Sequence, residues 1–201
     1  NLGDLCADAY RILLGADIAF VNGGGVRDNI KVGDITYGDI IKVHPFGNEA
    51  CLVEVTGQQI KDALELGSAA YPGESGGFLQ VSGLTYTINA DIPSSVVKND
   101  KSEFVKVDGA YRVSDIMVGG QPLDVNKTYT LASHNYMLKS GGDGINMFQD
   151  NKLLQDEVKI DNQVLINYIV NNLGGVVGEQ YAAPQGRITI KTAASDVPTN
   201  E

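Results

Sequence analysis

Three stretches of this chain set chemically able side chains among glycines. In Val21-Asn22-Gly23-Gly24-Gly25-Val26-Arg27, a carboxamide and a guanidinium flank three glycines, with Gly24 in the middle. Backbone without Cβ atoms can take positive φ and lets a ligand approach closely. Arg27 adds an anion-capable side chain beside the turn. The competing reading is a tight turn whose Arg27 points into water. In Val43-His44-Pro45-Phe46-Gly47-Asn48, the Phe46 ring stands in a loop. There a ring is either a plug for the core or a face on which a planar ligand stacks. In Ser140-Gly141-Gly142-Asp143-Gly144, a carboxylate between glycines can aim at two vicinal hydroxyls, as proteins read a ribose. The alternative there is a turn Asp that bonds its own backbone.

Other chemistries find less support. Neither glycine loop is followed by Gly-Lys-Ser/Thr, and neither matches a dinucleotide fingerprint. His44 and His134 are far apart in sequence, with no ligand-like spacing to each other or to the cysteines. A metal hydrolase centre needs several converging His and Asp side chains, and no such set is visible. His44 therefore reads as incidental. Cys6 and Cys51 each sit among apolar neighbours and read as small buried hydrophobes, with a disulfide left open.

The elements that must position these residues follow from periodicity and end signals. Leu2, Leu5, Cys6, Ala9, Ile12 and Leu13 repeat at helical spacing, between Asn1 as N-cap and Gly15 as stop. Ile18–Val21 is a short buried strand that feeds the glycine turn. Two capping boxes, Thr36-Tyr37-Gly38-Asp39 and Thr56-Gly57-Gln58-Gln59, open helices ended by Pro45 and near Gly67. Ala50–Thr56, Phe78–Val81, Leu84–Ile88, Tyr111–Val118, Tyr129–Ser133 and Arg187–Ile190 read as strands. Gly119–Pro122 reads as a turn, and 89–108 as an irregular or hairpin-like surface excursion. Asp161 is expected to cap a helix bearing Val164, Leu165, Tyr168, Ile169 and Leu173, ended by Gly174-Gly175. Helices and strands mix without strict alternation, which predicts an α+β domain with a mixed β-sheet and flanking helices.

The chain has 201 residues, enough for one domain with a real core. Its formal charge of −10 argues against a nucleic acid or anionic membrane surface. One small phosphorylated ligand needs only a local positive spot. No run is long and apolar enough to span a bilayer, and none of the residues reads as a signal peptide. The chain opens directly in helix-start chemistry at Asn1-Leu2-Gly3-Asp4, so we read it as a piece of a longer protein. Residues 1–191 are expected to form the domain, and the polar stretch 192–201 a tail or linker.

Asn-Leu-Gly-Asp-Leu (1–5), Asn-Gly-Gly-Gly-Val-Arg (22–27), Pro-Phe-Gly-Asn (45–48), Gly-Phe-Leu-Gln-Val-Ser-Gly (77–83) and Gly-Gly-Asp-Gly (141–144) are each weak motifs. In this order and spacing they resemble the C-terminal domain of the 5′-nucleotidase family, over about Asn1 to Ile190. The resemblance implies a two-domain phosphohydrolase, extracellular, periplasmic or attached to the cell wall. Its N-terminal metallophosphoesterase domain would hold two divalent metal ions, and this domain would supply the nucleoside or nucleotide pocket, with no cofactor or catalytic residue of its own. By position, Asn22 would hydrogen-bond the base, beside Gly24, and Arg27 would hold the phosphate side. Phe46 would form one wall of a base-stacking sandwich, and Asp143 would accept the ribose hydroxyls. The family's second stacking aromatic falls six residues before the loop Asp, a place held here by Met137. A second wall needs a flat ring, so Tyr136 is expected to serve, with the loop to Gly141 bulged by one residue. Related readings are a nucleotide-sugar or cyclic-nucleotide phosphodiesterase on the same scaffold, and a non-catalytic nucleoside-binding surface module.

Overall fold

Ile18–Asn22 (β1) is apolar along almost its whole length because both of its faces are buried. Alternation sends Ile18 and Phe20 to one side, with Val53 and Leu131, and Ala19 and Val21 to the other, with Leu52 and Ala132. The computed structural model describes residues 1–193, so most of the predicted tail (194–201) lies outside the described residues. Within them the domain is a mixed α/β assembly of two packed sheets, a small hairpin and flanking helices.

The first helix, Leu2–Leu14 (α1), starts where the Asn1 side chain accepts from the Leu2 N–H and ends at Gly15, whose φ of 67° a Cβ would strain. Both predicted capping boxes form, at Tyr37–Val43 (α2) and Gly57–Ser68 (α3), each with reciprocal side-chain and backbone hydrogen bonds. Ala50–Thr56 (β2), Leu79–Ser82 (β3), Leu84–Asn89 (β4), Val96–Lys98 (β5), Phe104–Val107 (β6), Val113–Val118 (β7), Gln121–Pro122 (β8) and Thr128–His134 (β9) follow. The chain then forms Asn135–Leu138 (α4), Leu153–Gln155 (β10), Asp161–Asn167 (α5) and Ile188–Lys191 (β11).

The larger sheet has the order β10-β2-β9-β1-β3, with β1 and β9 parallel and the other pairs antiparallel. The second runs β11-β4-β7-β8, with β11 parallel to β4. Helices α1 and α5 cover one face of the larger sheet; α3 and the second sheet close the other.

Several boundaries differ from those the sequence predicts. The strand expected from Tyr111 begins at Val113, because the Arg112 and Val113 N–H groups donate to the buried Glu65 carboxylate at 2.9 and 3.0 Å. The glycine pair at 119–120 does turn the chain, but Gln121 and Pro122 pair back onto β7. The excursion at 89–108 is a hairpin, β5 on β6. Asp161 is the first helical residue rather than the cap, which is Ile160. Its carboxylate instead ties the helix start to another loop, accepting from the N–H groups of Asn162 and Asn48 at 2.8 and 3.1 Å. The helix expected to reach Leu173 turns into a π-helical segment over Tyr168–Asn172.

The register of the larger sheet assembles the site. Ala19 pairs with Ala132 in parallel, so β1 and β9 end side by side, at Asn22 and His134. Ala50 pairs with His134 and Leu79 with Asn22 in antiparallel, so β2 and β3 begin at that same edge. Four connections therefore converge there: the glycine turn after β1, the Gly-Gly-Asp-Gly loop after β9, and the segments carrying Phe46 and Gly76-Gly77.

Candidate functional site

Asn22 is the last residue of β1 and only 5 % exposed. Its Nδ2 donates to Asp143 Oδ2 at 2.7 Å, and His134 Nε2 lies 3.0 Å from its Oδ1. The Tyr136 hydroxyl donates to Asp143 Oδ1 at 3.3 Å. Residues 22, 134, 136 and 143 thus form one polar chain across the ends of β1 and β9. Asp143 holds the left-handed conformation (φ 57°, ψ 18°), which a short polar side chain tolerates better than most. Each carboxylate oxygen has two lone pairs, so acceptor capacity remains after these bonds.

The three consecutive glycines are able to take positive φ, yet none of Gly23, Gly24 or Gly25 does so; they form a 3₁₀ turn. Their need is for close approach within the protein. The Gly24 N–H donates to Gly76 O at 2.8 Å, and a Cβ on Gly24 would stand 3.1 Å from Gly76 Cα. A Cβ on Gly25 would meet Asn22 Oδ1 at 2.7 Å. A Cβ on Gly77 would meet Asp143 Cβ at 3.2 Å, so this second glycine pair lets the two loops touch.

Arg27 is exposed and donates from Nη1 to Gly24 O at 3.3 Å. Its Cζ lies 5.9 Å from the centroid of the Phe46 ring, near the outer limit of a cation–π contact. Phe46 is 60 % exposed, which excludes the core-plug reading. Tyr136 and Met137 are separated by a helical turn, α4, rather than by a bulged loop. The turn leaves Tyr136 39 % exposed beside Asp143 and buries Met137 in the core. Burial and the nearby Asp143 charge raise the Tyr136 phenol above its ordinary pKa, so it stays a hydrogen-bond donor.

An open cleft of about 450 Å³ runs along this edge, lined by Gly76, Tyr136 and Asp143 and, from the hairpin, Lys98, Lys101 and Glu103. Of the predicted site residues Tyr136 and Asp143 line that cleft; Asn22, Gly24, Arg27 and Phe46 do not, Asn22 meeting it through Asp143 and Phe46 through Arg27 and the glycine turn. A larger cavity of about 590 Å³ lies elsewhere, between α2 and the π-helical segment. Ile35, Ile40, Ile169 and Val170 make its apolar walls and Asp34, Thr36 and Tyr37 its polar ones, but none of the predicted site residues lines it, whereas Tyr136 and Asp143 line the smaller cleft.

Sequence reasoning missed the two histidines. His44 is not incidental: its Nδ1 lies 3.0 Å from Gly25 O and ties α2 to the glycine turn. Burial lowers its pKa against the raising effect of that hydrogen bond. His134 is pushed down to about 4, chiefly by burial and then by His44. The available signal for His134 was alternation from Ala132, which puts residue 134 on the same face of β9. Among the described residues no group of three or more His, Cys, Asp and Glu side chains is placed to hold a metal ion. The arrangement can stack a planar group, accept from hydroxyls and hold an anion. It does not present an activated nucleophile.

Residues 1–150 match the family described as 5′-nucleotidase, C-terminal domain. A 5′-nucleotidase of Vibrio cholerae is 34 % identical over 193 residues, covering 95 % of this chain and 30 % of its own length. The trifunctional nucleotide phosphoesterase protein YfkN of Bacillus subtilis is 32 % identical over 197 residues, covering 94 % and 12 %. The crystal structure of a 5′-nucleotidase precursor from Thermus thermophilus superposes with a TM-score of 0.73 at 30 % identity, covering 94 % of this chain and 35 % of that one. This chain therefore spans about a third or less of the length of these relatives. It belongs to the 5′-nucleotidase C-terminal domain family.

Proposed function

We propose that residues 1–191 are the substrate-binding domain of a metal-dependent 5′-nucleotidase that hydrolyses nucleotide phosphate esters. The observation that carries this reading is the grouping of Asp143, Asn22 and Tyr136 at one sheet edge, with Phe46 and Arg27 across the glycine turn. In this reading Asp143 accepts the vicinal hydroxyls of a ribose and Asn22 hydrogen-bonds the base. Phe46 and Tyr136 flank that base, and Arg27 holds the phosphate side. Holding the ester still contributes to rate by positioning. The two divalent ions that activate water belong to a preceding metallophosphoesterase domain, for which the residues described here offer no ligand set. The full protein acts outside the cytoplasm, in the periplasm, at the cell wall or extracellularly.

Calorimetric titration of the chain with adenosine, AMP, uridine and UDP-glucose tests this reading. Saturable binding of at least the nucleosides is expected, and absence of heat with all four up to millimolar concentration would refute it. Phosphate release from AMP with Mn²⁺ or Zn²⁺ should stay at background for the chain alone. Turnover that survives repurification and tracks with the protein would show that it holds a catalytic centre of its own.

A further inference from the structure

We infer that His134 is a positioning residue that, together with Asp143, holds the Asn22 carboxamide in one orientation, its oxygen turned to the buried imidazole, so that the group Asn22 has left for a ligand is a hydrogen-bond donor. The geometry decides the orientation. A carboxylate only accepts, so the amide must turn its nitrogen toward Asp143 Oδ2, 2.7 Å away. Its oxygen then faces His134 Nε2 at 3.0 Å, and that nitrogen must carry the proton. The opposite tautomer would set two lone pairs against each other and bury an N–H with no partner. With the proton on Nε2, only the Nδ1 lone pair is left without a partner. Burial keeps the ring neutral near pH 7.

The ring cannot easily leave this pose. His134 is 3 % exposed and ends β9, paired with Ala50. Tyr10 meets it edge-on (centroids 6.0 Å apart, 70° between planes), and Tyr136 lies 6.0 Å away on a tilt of 39°. His44 is fixed in the complementary tautomer, because its Nδ1 must donate to the Gly25 carbonyl. The two buried imidazoles thus brace the turn from both ends, one through backbone and one through the Asn22 side chain.

The consequence for ligands rests on the nucleoside reading above; the tautomer does not. With Oδ1 facing the buried His134 ring and Gly25, the remaining hydrogen on Asn22 Nδ2 is what meets a base. The site then selects bases that present a ring nitrogen or carbonyl lone pair at that edge and disfavours those that present an N–H. A buried donor left facing another donor would lose its hydrogen bond outright.

Two measurements decide the matter. Long-range ¹H–¹⁵N correlation on the ¹⁵N-labelled chain at pH 7 reads the His134 tautomer. A neutral ring protonated on Nε2 is expected, and a proton on Nδ1, or an imidazolium, overturns the inference. Adenosine is then titrated into the wild type, His134→Gln and His134→Leu, with thermal melting alongside. Gln keeps an N–H for Asn22 Oδ1 and should bind within about twofold of the wild type, whereas Leu, which leaves that buried oxygen without a partner and the amide held by Asp143 alone, should bind about fivefold more weakly or worse. Equal affinities in all three folded proteins overturn the positioning role. If the wild type binds no adenosine, the nucleoside reading fails while the tautomer still tests the lock. If His134→Leu does not fold, the tautomer and His134→Gln decide.

Discussion

Gly142→Ala isolates the Tyr136 wall of the site without touching Tyr136 itself. Gly142 is buried and is not in the positive-φ region, so alanine there costs nothing in backbone conformation. Its Cβ, however, would stand 2.3, 2.4 and 2.5 Å from Cε1, Cζ and Cδ1 of the Tyr136 ring. Contacts that short must be relieved. Overpacking a core costs about 1–3 kcal/mol, but this ring is 39 % exposed and can rotate toward solvent, which puts the cost near 1 kcal/mol. That corresponds to a melting shift of roughly 2–4 °C in a domain of this size. Rotation removes one stacking face and the bond from the hydroxyl to Asp143. Adenosine binding should weaken by about 1–3 kcal/mol, the usual worth of one base–aromatic stack. The assay is calorimetric titration of Gly142→Ala, Tyr136→Ala and the double variant. Once the ring is gone, the added methyl has nothing to strike, so the double variant should bind no worse than Tyr136→Ala. Unchanged binding in Gly142→Ala, or full additivity in the double variant, would refute the assignment of Tyr136 to the site.

Three other perturbations separate binding from folding. Asp143→Asn keeps a side chain tolerant of the 57° φ while removing the charge that accepts from Asn22 and Tyr136, so adenosine should lose about tenfold in affinity and 2′,3′-dideoxyadenosine much less. Phe46→Ala, at a ring 60 % exposed, should shift stability by about 0.5 kcal/mol or less yet weaken nucleoside binding by about 1–3 kcal/mol; a large melting shift without an affinity change would refute it. The pH prediction concerns His134, lowered from 6.5 to about 4. Above pH 6.5 both folded and unfolded chains hold it neutral, and between 6.5 and 4 the unfolded chain binds a proton that the folded one refuses. Stability therefore falls as the pH drops through that window, by about 3 kcal/mol near pH 4. Denaturant titrations of the wild type and His134→Gln at pH 7 and pH 4 should converge in stability by that amount, and parallel losses in the two would contradict it.

Local signals marked most of the elements. Helix α1 shows an apolar stripe between a side-chain cap and a left-handed glycine, and α2 and α3 each open on a capping box written in four consecutive residues. Strand β10 escaped because it is three partly exposed residues at a sheet edge, with no periodicity to read. The site was legible as residue types and not as a geometry. Asn22 and Asp143 lie 121 residues apart, and it is the parallel pairing of β1 with β9 that brings them to 2.7 Å. No local pattern encodes that pairing. The choice between Tyr136 and Met137 likewise turned on one helical turn, where an extended segment with a bulge was expected. His134 gives no dyad signal in the sequence because its partner, Asn22, is an amide 112 residues away rather than a nearby carboxylate or nucleophile.

The most direct test of the central claim is amide chemical-shift mapping of the ¹⁵N-labelled chain during titration with adenosine. The account predicts saturable shifts gathered at one sheet edge, at Asn22–Arg27, Phe46, Gly76–Gly77, Tyr136 and Gly141–Gly144. Shifts concentrated instead in the larger cavity around Tyr37, Ile40 and Val170, or none at millimolar adenosine, would contradict it.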